Sequence, residues 1–294
     1  EHLDGAVDLI NKCGEVTYKP NIKVSELKNV LIENEITHIF TNPNKQNFHL
    51  NHSVLTGTNV EVINTCSTGL NHIDLEYCKI MDIEVWSLKK DYELINDLPS
   101  TSELAFGLMM SLLRFIPTSF HSVKDGNWDY EPYVGHQIKG KTIGVIGYGR
   151  LGKIMCRLFD GWEVDILVTD PYARITDANG VSLDELLDKS DIVFLHTHVT
   201  EETKDMVDDE FIQKMKDGSF LINTARGELV DEDAIIKSIE SGHLKGYGTD
   251  VIRDEFGDIE NSKLVEFSIN PNNNVVITPH IGGMTIEGQT KAYL

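Results

Sequence analysis

Two groups of residues in this sequence have types and spacing suited to chemistry. In the first, Gly147-Tyr148-Gly149-Arg150-Leu151-Gly152 ends one apolar run and opens a helical pattern, and Asp170 follows Gly152 by 18 residues at the end of the next run. A GxGxxG string alone says little. Between a strand and a helix, with an acid about 20 residues on, it has the context of a dinucleotide fingerprint. Gly147 would make the tight turn, Gly149 would let backbone approach a pyrophosphate, and Gly152 would let helix and strand pack closely. The helix N-terminus offers N–H groups and a positive dipole end to the phosphates. Asp170 would accept hydrogen bonds from the adenosine ribose and repel a 2′-phosphate, which favours NAD over NADP.

The second group is Arg226, Asp250, Glu255 and His280, each at or just beyond the end of an apolar run. In an open α/β sheet, ligands bind beyond the carboxyl ends of the strands, so all four would share one edge with Gly147. A guanidinium is a planar fork that holds a carboxylate bidentately. A His protonated near neutral pH donates to a carbonyl oxygen while hydride reaches the carbon. A carboxylate behind such a ring favours its protonated form and fixes its orientation. Arg226, Glu255 and His280 beside a dinucleotide site therefore describe reduction of a 2-oxo acid to a 2-hydroxy acid by NADH. Asp254 is a neighbouring candidate for the partner of His280.

The elements that must position these residues alternate regularly. Strand-like runs are Thr142–Gly147, Val164–Asp170, Asp191–His196, Ser219–Thr224, Gly246–Ile252 and Asn274–His280. Helical patterns fill the gaps: Leu151, Ile154, Met155, Leu158 and Phe159 form a stripe, and Asp231-Glu-Asp233 puts acid at the start of another helix, as its dipole favours. The first half reads similarly, with strands expected at Glu15–Tyr18, Thr37–Thr41, Val60–Cys66 and Ile83–Ser87 and a helix at Ser25–Glu33. Parallel strands with intervening helices predict an α/β fold with doubly wound sheets. Between the halves, Ser100-Thr-Ser-Glu103 has the form of a capping box. The helix after it is apolar on every side from Leu104 to Leu113, so one face is expected to meet its own domain and another a partner subunit.

A chain of 294 residues suggests about two domains. With 26 basic against 47 acidic residues the net charge is −21, which disfavours nucleic acid and anionic membrane surfaces as partners. Cys13, Cys66, Cys78 and Cys156 form no CxxC pair and fit buried thiols in a reducing, cytoplasmic setting. Asn51-His52-Ser53 fits a glycosylation sequon, taken as accidental without a secretory signal. The stretch Leu104–Leu113 is far shorter than the ~20 residues that span a bilayer. His196 and His198 flank Thr197 with no third ligand at useful spacing, so no metal is expected.

At these residues the sequence resembles the D-isomer-specific 2-hydroxyacid dehydrogenases, over most of its length. The likeness is dense in Gly140-Lys-Thr-Ile-Gly144, Met215-Lys-Asp-Gly218, Ile222-Asn-Thr-Ala-Arg-Gly227 and Val275-Val-Ile-Thr-Pro-His280. Ser67-Thr-Gly-Leu-Asn-His-Ile-Asp74 resembles the family's substrate-side glycine loop, and Ser102-Glu103-Leu104 through Arg114 its domain-joining helix. The resemblance implies two Rossmann-like domains with a cleft between them: residues 1–98 with 284–294 for substrate, and residues 99–283 for NAD. It implies Arg226 as carboxylate anchor, His280 as acid/base with Glu255 as its partner, and Thr68 and Gly69 at the substrate carboxylate. It places Arg150, Leu151, Thr224, Ala225 and Gly282 at the cofactor with the glycines and Asp170, and Asp250 near the nicotinamide carboxamide. A homodimer built on the 100–114 helix is implied as well. The sequence departs from the family at Phe256, where proline is usual, and in the longer, more polar segment Lys89–Pro99. The missing initial Met and the end soon after Thr285 lead us to expect that the family's first strand and final helix are absent.

Phosphoglycerate dehydrogenase-like and glyoxylate or hydroxypyruvate reductase-like activities are the leading expectations. Lys45 is a candidate for meeting a substrate phosphate. The alternatives are an NAD-sensing binding protein like the family's transcriptional corepressors, or a phosphite or formate dehydrogenase-like relative.

Overall fold

The computed structural model describes residues 6–41, 48–255, 257 and 259–293. The chain divides into two compact units, Glu1–Leu98 with Met284–Leu294, and Pro99–Gly283.

In the first unit, β1 (His38–Thr41), β2 (Val62–Thr65) and β3 (Glu84–Ser87) form a parallel sheet in that order. Helix α1 (Val24–Glu33) buries Leu27 and Leu31, which join Leu50, Leu55, Ile63 and Cys78 in one core. The strand expected at Glu15–Tyr18 is irregular backbone: among the described residues no strand pairs with it. A helix at Ile286–Tyr293 corrects the expectation of a missing final helix. Thr285 Oγ1 accepts from the Gly288 amide at its start, and Tyr293 meets Phe40 edge-on at 5.6 Å.

The second unit opens with α2 (Ser100–Leu113). Pro99, not Ser100, occupies the N-cap, so the capping box does not form. A proline cap offers no side-chain acceptor, and Ser102 Oγ instead reaches the Leu151 carbonyl at 3.1 Å. Six parallel strands follow: β4 (Thr142–Ile146), β5 (Asp165–Thr169), β6 (Ile192–Leu195), β7 (Ser219–Asn223), β8 (Leu244–Thr249) and β9 (Val275–Ile277). Their order is β5-β4-β6-β7-β8-β9, and an isolated parallel bridge from Gly180 to Val168 extends the β5 edge.

Alternate residues of these strands enter different cores. Ile192 and Phe194 of β6 and Ile222 of β7 pack with Ala105, Leu108 and Leu112 of α2. Val193, Leu195 and Leu221 pack with Ile235 of helix α4 (Glu232–Ser241). Both faces are thus covered, which is why the strands read as continuous apolar runs. All six strands end before the expected position, four of them by one residue and β8 and β9 by three. At the end of β8 the Thr249 hydroxyl turns back to accept from the Val251 amide, and just past β9 the Thr278 amide still donates to the Thr249 carbonyl while its hydroxyl donates to Asp250. No single helix among the described residues is long and apolar enough to cross a membrane.

Candidate active site

Because the six strands of the second unit are parallel, the residues that follow them line one edge. Gly147 follows β4, Asp170 follows β5, His196 follows β6, Thr224 to Arg226 follow β7, Asp250 follows β8 and His280 lies three residues beyond β9. The strand order reverses between β5-β4 and β6, the point where open α/β sheets bind ligands.

The glycine loop is shaped by close approach. Gly147 has φ +95°, and a Cβ there would sit 2.5 Å from the His196 carbonyl oxygen. A Cβ on Gly152 would sit 2.0 Å from the Gly147 carbonyl oxygen, whereas one on Gly149 would meet only open space. Helix α3 (Arg150–Leu158) therefore starts against β4 with no side-chain cap and with room in front of its first turn. Asp170 Oδ2 accepts from the Tyr148 amide at 2.8 Å, and its Oδ1 from the amides of Tyr172 and Ala173. Burial lowers the Arg150 pKa. Beside this loop, both ring nitrogens of His196 and the Thr224 hydroxyl are buried without a hydrogen-bond partner. The His196 ring stacks on Phe194, and burial with the nearby Arg150 charge pushes its pKa down to about 4. An open second glycine, an uncapped helix start, a carboxylate at the β5 end and orphaned polar atoms at the rim fit a dinucleotide.

On the other side of β7, Glu255 meets the His280 ring, with both carboxylate oxygens 3.0 Å from Nδ1. Glu255, rather than Asp254, is thus the carboxylate that holds this ring. The side chains are 29% and 15% exposed, so the pair is sheltered while the His remains reachable. His280 has φ 54°, an uncommon conformation for a non-glycine residue. Asp250 sustains it. This buried carboxylate accepts from the Thr278 hydroxyl (2.6 Å) and the Ile281 amide on Oδ1 and from the Gly282 amide (2.7 Å) on Oδ2, while its own carbonyl accepts from the His280 amide. Burial raises the Asp250 pKa against the pull of those three donors. Gly282, expected at the cofactor, is one of the residues that Asp250 fixes.

Arg226 stands at the start of a short 3-10 turn, and its Nη1 donates to the Ala225 carbonyl at 2.7 Å. Asn223 was not singled out by its sequence, yet it builds this turn. Its fully buried side chain accepts from the Ala225 amide and donates to the Arg226 carbonyl. Thr68 and Gly69 belong to the first unit, where Ser67 Oγ donates to the Gly69 carbonyl at 2.6 Å. Lys45 and Phe256 lie outside the described residues.

Beneath the Ser67–Gly69 turn, buried His72 places Nε2 3.1 Å from Thr65 Oγ1, which in turn meets Ser67 Oγ. Burial, with His49 adding to it, pushes the His72 pKa down to about 4 from 6.5. Between these values the unfolded chain binds a proton that the folded one refuses, so stability rises with pH there. We expect the contribution of His72 to be complete above pH 6.5 and lost as pH falls toward about 4. His72→Asn should flatten that part of the curve. Denaturation midpoints measured across this range check it, and an unchanged slope contradicts it.

These features fit a dinucleotide-dependent oxidoreductase site on a Rossmann-like sheet. The family model of the D-isomer specific 2-hydroxyacid dehydrogenase NAD binding domain matches residues 106–282, and the chain belongs to that family. It is 35% identical over 238 residues to a hydroxypyruvate reductase of Thermotoga maritima, covering 80% of this chain and 74% of that one. It is 32% identical over 237 residues to a D-3-phosphoglycerate dehydrogenase of Bacillus subtilis, covering 79% of this chain but only 43% of that longer protein. Among solved structures, the D-lactate dehydrogenase of Aquifex aeolicus with NAD and lactic acid superposes with a TM-score of 0.75 at 30% identity, over 93% of this chain and 82% of that one. The protein is an NAD-dependent enzyme with the two-domain Rossmann-like fold of its family.

Proposed function

We propose that the chain reduces a small 2-oxo acid to the D-2-hydroxy acid, with Arg226 holding the carboxylate and His280, backed by Glu255, as the acid/base. The observation that carries this reading is the Glu255–His280 pair at the sheet edge that also holds the glycine loop. NADH, when bound, supplies the hydride. His280 donates its proton to the carbonyl oxygen as the carbon is reduced, and in the reverse direction it takes the hydroxyl proton back. Glu255 orients the ring through Nδ1, which leaves Nε2 for substrate. Asp250 keeps His280 in place through the loop it anchors. The backbone around Thr68 and Gly69 shares the carboxylate with Arg226. The glycines, Arg150, Leu151, Thr224 and Ala225 take the pyrophosphate and nicotinamide side, and Asp170 the adenosine ribose.

The names of the relatives favour turnover over a corepressor-like binding role. Hydroxypyruvate, glyoxylate and 3-phosphohydroxypyruvate are the substrates to try first. A cytoplasmic homodimer through the 100–114 region completes the proposal. Its support is the exposed apolar run just beyond α2, in which Ile116, Phe120 and Val123 are each about half exposed and Trp128 is 90% exposed.

The reading is tested by comparing a 2-oxo acid with the matching ketone that lacks the carboxylate. We expect the acid to be reduced far faster, and equal rates would remove Arg226 from its role. Asp170→Ala should narrow the preference for NADH over NADPH, measured as the ratio of kcat/KM values. An unchanged ratio would mean that another residue reads the ribose.

A further inference from the structure

Residues 253–255 form a turn outside any helix or strand, yet Glu255 must meet His280 within hydrogen-bond distance. Arg253, two residues before Glu255, is fastened at three points. The Arg253 amide donates to Glu232 Oε1 at 2.8 Å, Nη2 donates to the Val230 carbonyl at 2.8 Å, and the guanidinium pairs with Asp205. These partners form one platform. The Asp205 amide donates to the Glu228 carbonyl, Val207 pairs with Val230, and Asp231 caps α4, whose first residue is Glu232. The same segment begins at Arg226. Gly227 presses against the loop directly, since a Cβ there would lie 2.1 Å from the Ile252 carbonyl carbon and 2.5 Å from the Arg253 nitrogen. Burial raises the Glu232 pKa while the Arg253 amide lowers it.

We propose that Arg253 is a positioning residue that clamps the Glu255 loop to the Arg226 platform, fixing the base partner of His280 relative to the carboxylate anchor. This rests on the roles proposed above for Arg226, Glu255 and His280. An ion pair as exposed as Arg253–Asp205, at 36% and 45%, contributes little alone. The carbonyl bond, the amide bond to a largely buried carboxylate and the Gly227 contact make the tether geometric. A displacement of about 1 Å at a reacting group can cost ~10²-fold in rate, so a loosened loop should be visible in kcat.

The test is a double-mutant cycle on the full chain, using Arg253→Ala and Glu255→Gln with hydroxypyruvate and NADH. Arg253→Ala should lower kcat by ~10–10²-fold and leave KM for NADH nearly unchanged. In the Glu255→Gln background, where only the charge behind His280 is lost, the same change should cost clearly less than in the wild type, because residues that act through one another are non-additive. Asp205→Asn keeps an acceptor while removing the charge, and it should give a smaller loss of the same kind should Arg253→Ala fail to fold. Without NADH, hydrogen exchange across 251–257 should rise in Arg253→Ala. A full, additive loss in the Glu255→Gln background, unchanged exchange, or a loss confined to KM would overturn the proposal. If Glu255→Gln alone keeps wild-type kcat, the reading of Glu255 has failed, and the clamp has no catalytic meaning.

Discussion

His280→Ala should lower kcat by ~10²–10⁴-fold, the usual contribution of a positioned general acid, which corresponds to about 3–5 kcal/mol of barrier. The ring is held by Glu255 on Nδ1 and its backbone by Asp250, so the substitution removes a proton donor already in place. NADH affinity should survive, because the glycine loop and Asp170 take no part in that pair. Steady-state kcat together with NADH binding by fluorescence checks both halves. A variant that turns over at the wild-type rate removes His280 from the mechanism. One that loses NADH binding shows instead that the site has collapsed. Glu255→Gln should give a smaller loss, since glutamine still accepts from Nδ1 but carries no charge to favour the imidazolium.

The second large effect is at Arg226. Arg226→Ala should depress kcat/KM for 2-oxo acids by ~10²–10⁴-fold, from two charge-assisted hydrogen bonds at roughly 1.5–3 kcal/mol each. Of the five donors of the guanidinium, the Ala225 carbonyl engages Nη1, which fixes the plane of the fork. Arg226→Lys should recover only part of the loss, because an ammonium is a point charge and not a fork. A loss seen equally with ketones that lack a carboxylate would mean that Arg226 supports the turn and not the substrate.

Much of the second unit was legible because its strands are buried on both faces. Runs such as Ile192–Leu195 and Ser219–Asn223 have no polar interruptions and can be placed without knowing their neighbours. Glu15–Tyr18 has strand-like alternation too, but alternation cannot say whether a partner strand exists. The capping box failed because Pro99 took the cap position, and the helix Ile286–Tyr293 was missed because its pattern is short and holds Gly288.

In the site, Glu255 and His280 were legible as residue types at predictable strand ends. The work of Asp250 was not, because two of its three side-chain donors are the backbone amides of Ile281 and Gly282, which leave no mark in a sequence. The Arg253–Asp205 pair spans 48 positions and is made by the fold alone. Asn223 was passed over although it ends a strand one turn before Arg226, a position where a buried amide commonly serves the backbone.

Loss of NADH absorbance with a panel of 2-oxo acids tests the central claim most directly. The panel would include glyoxylate, hydroxypyruvate, pyruvate, 2-oxoglutarate and 3-phosphohydroxypyruvate, with His280→Ala in parallel. We predict that one acid is consumed well ahead of the others and that the variant is slower by at least ~10². No consumption of any of them, with NADH still bound by fluorescence, would contradict the assignment of Arg226 and His280 to 2-oxo acid reduction.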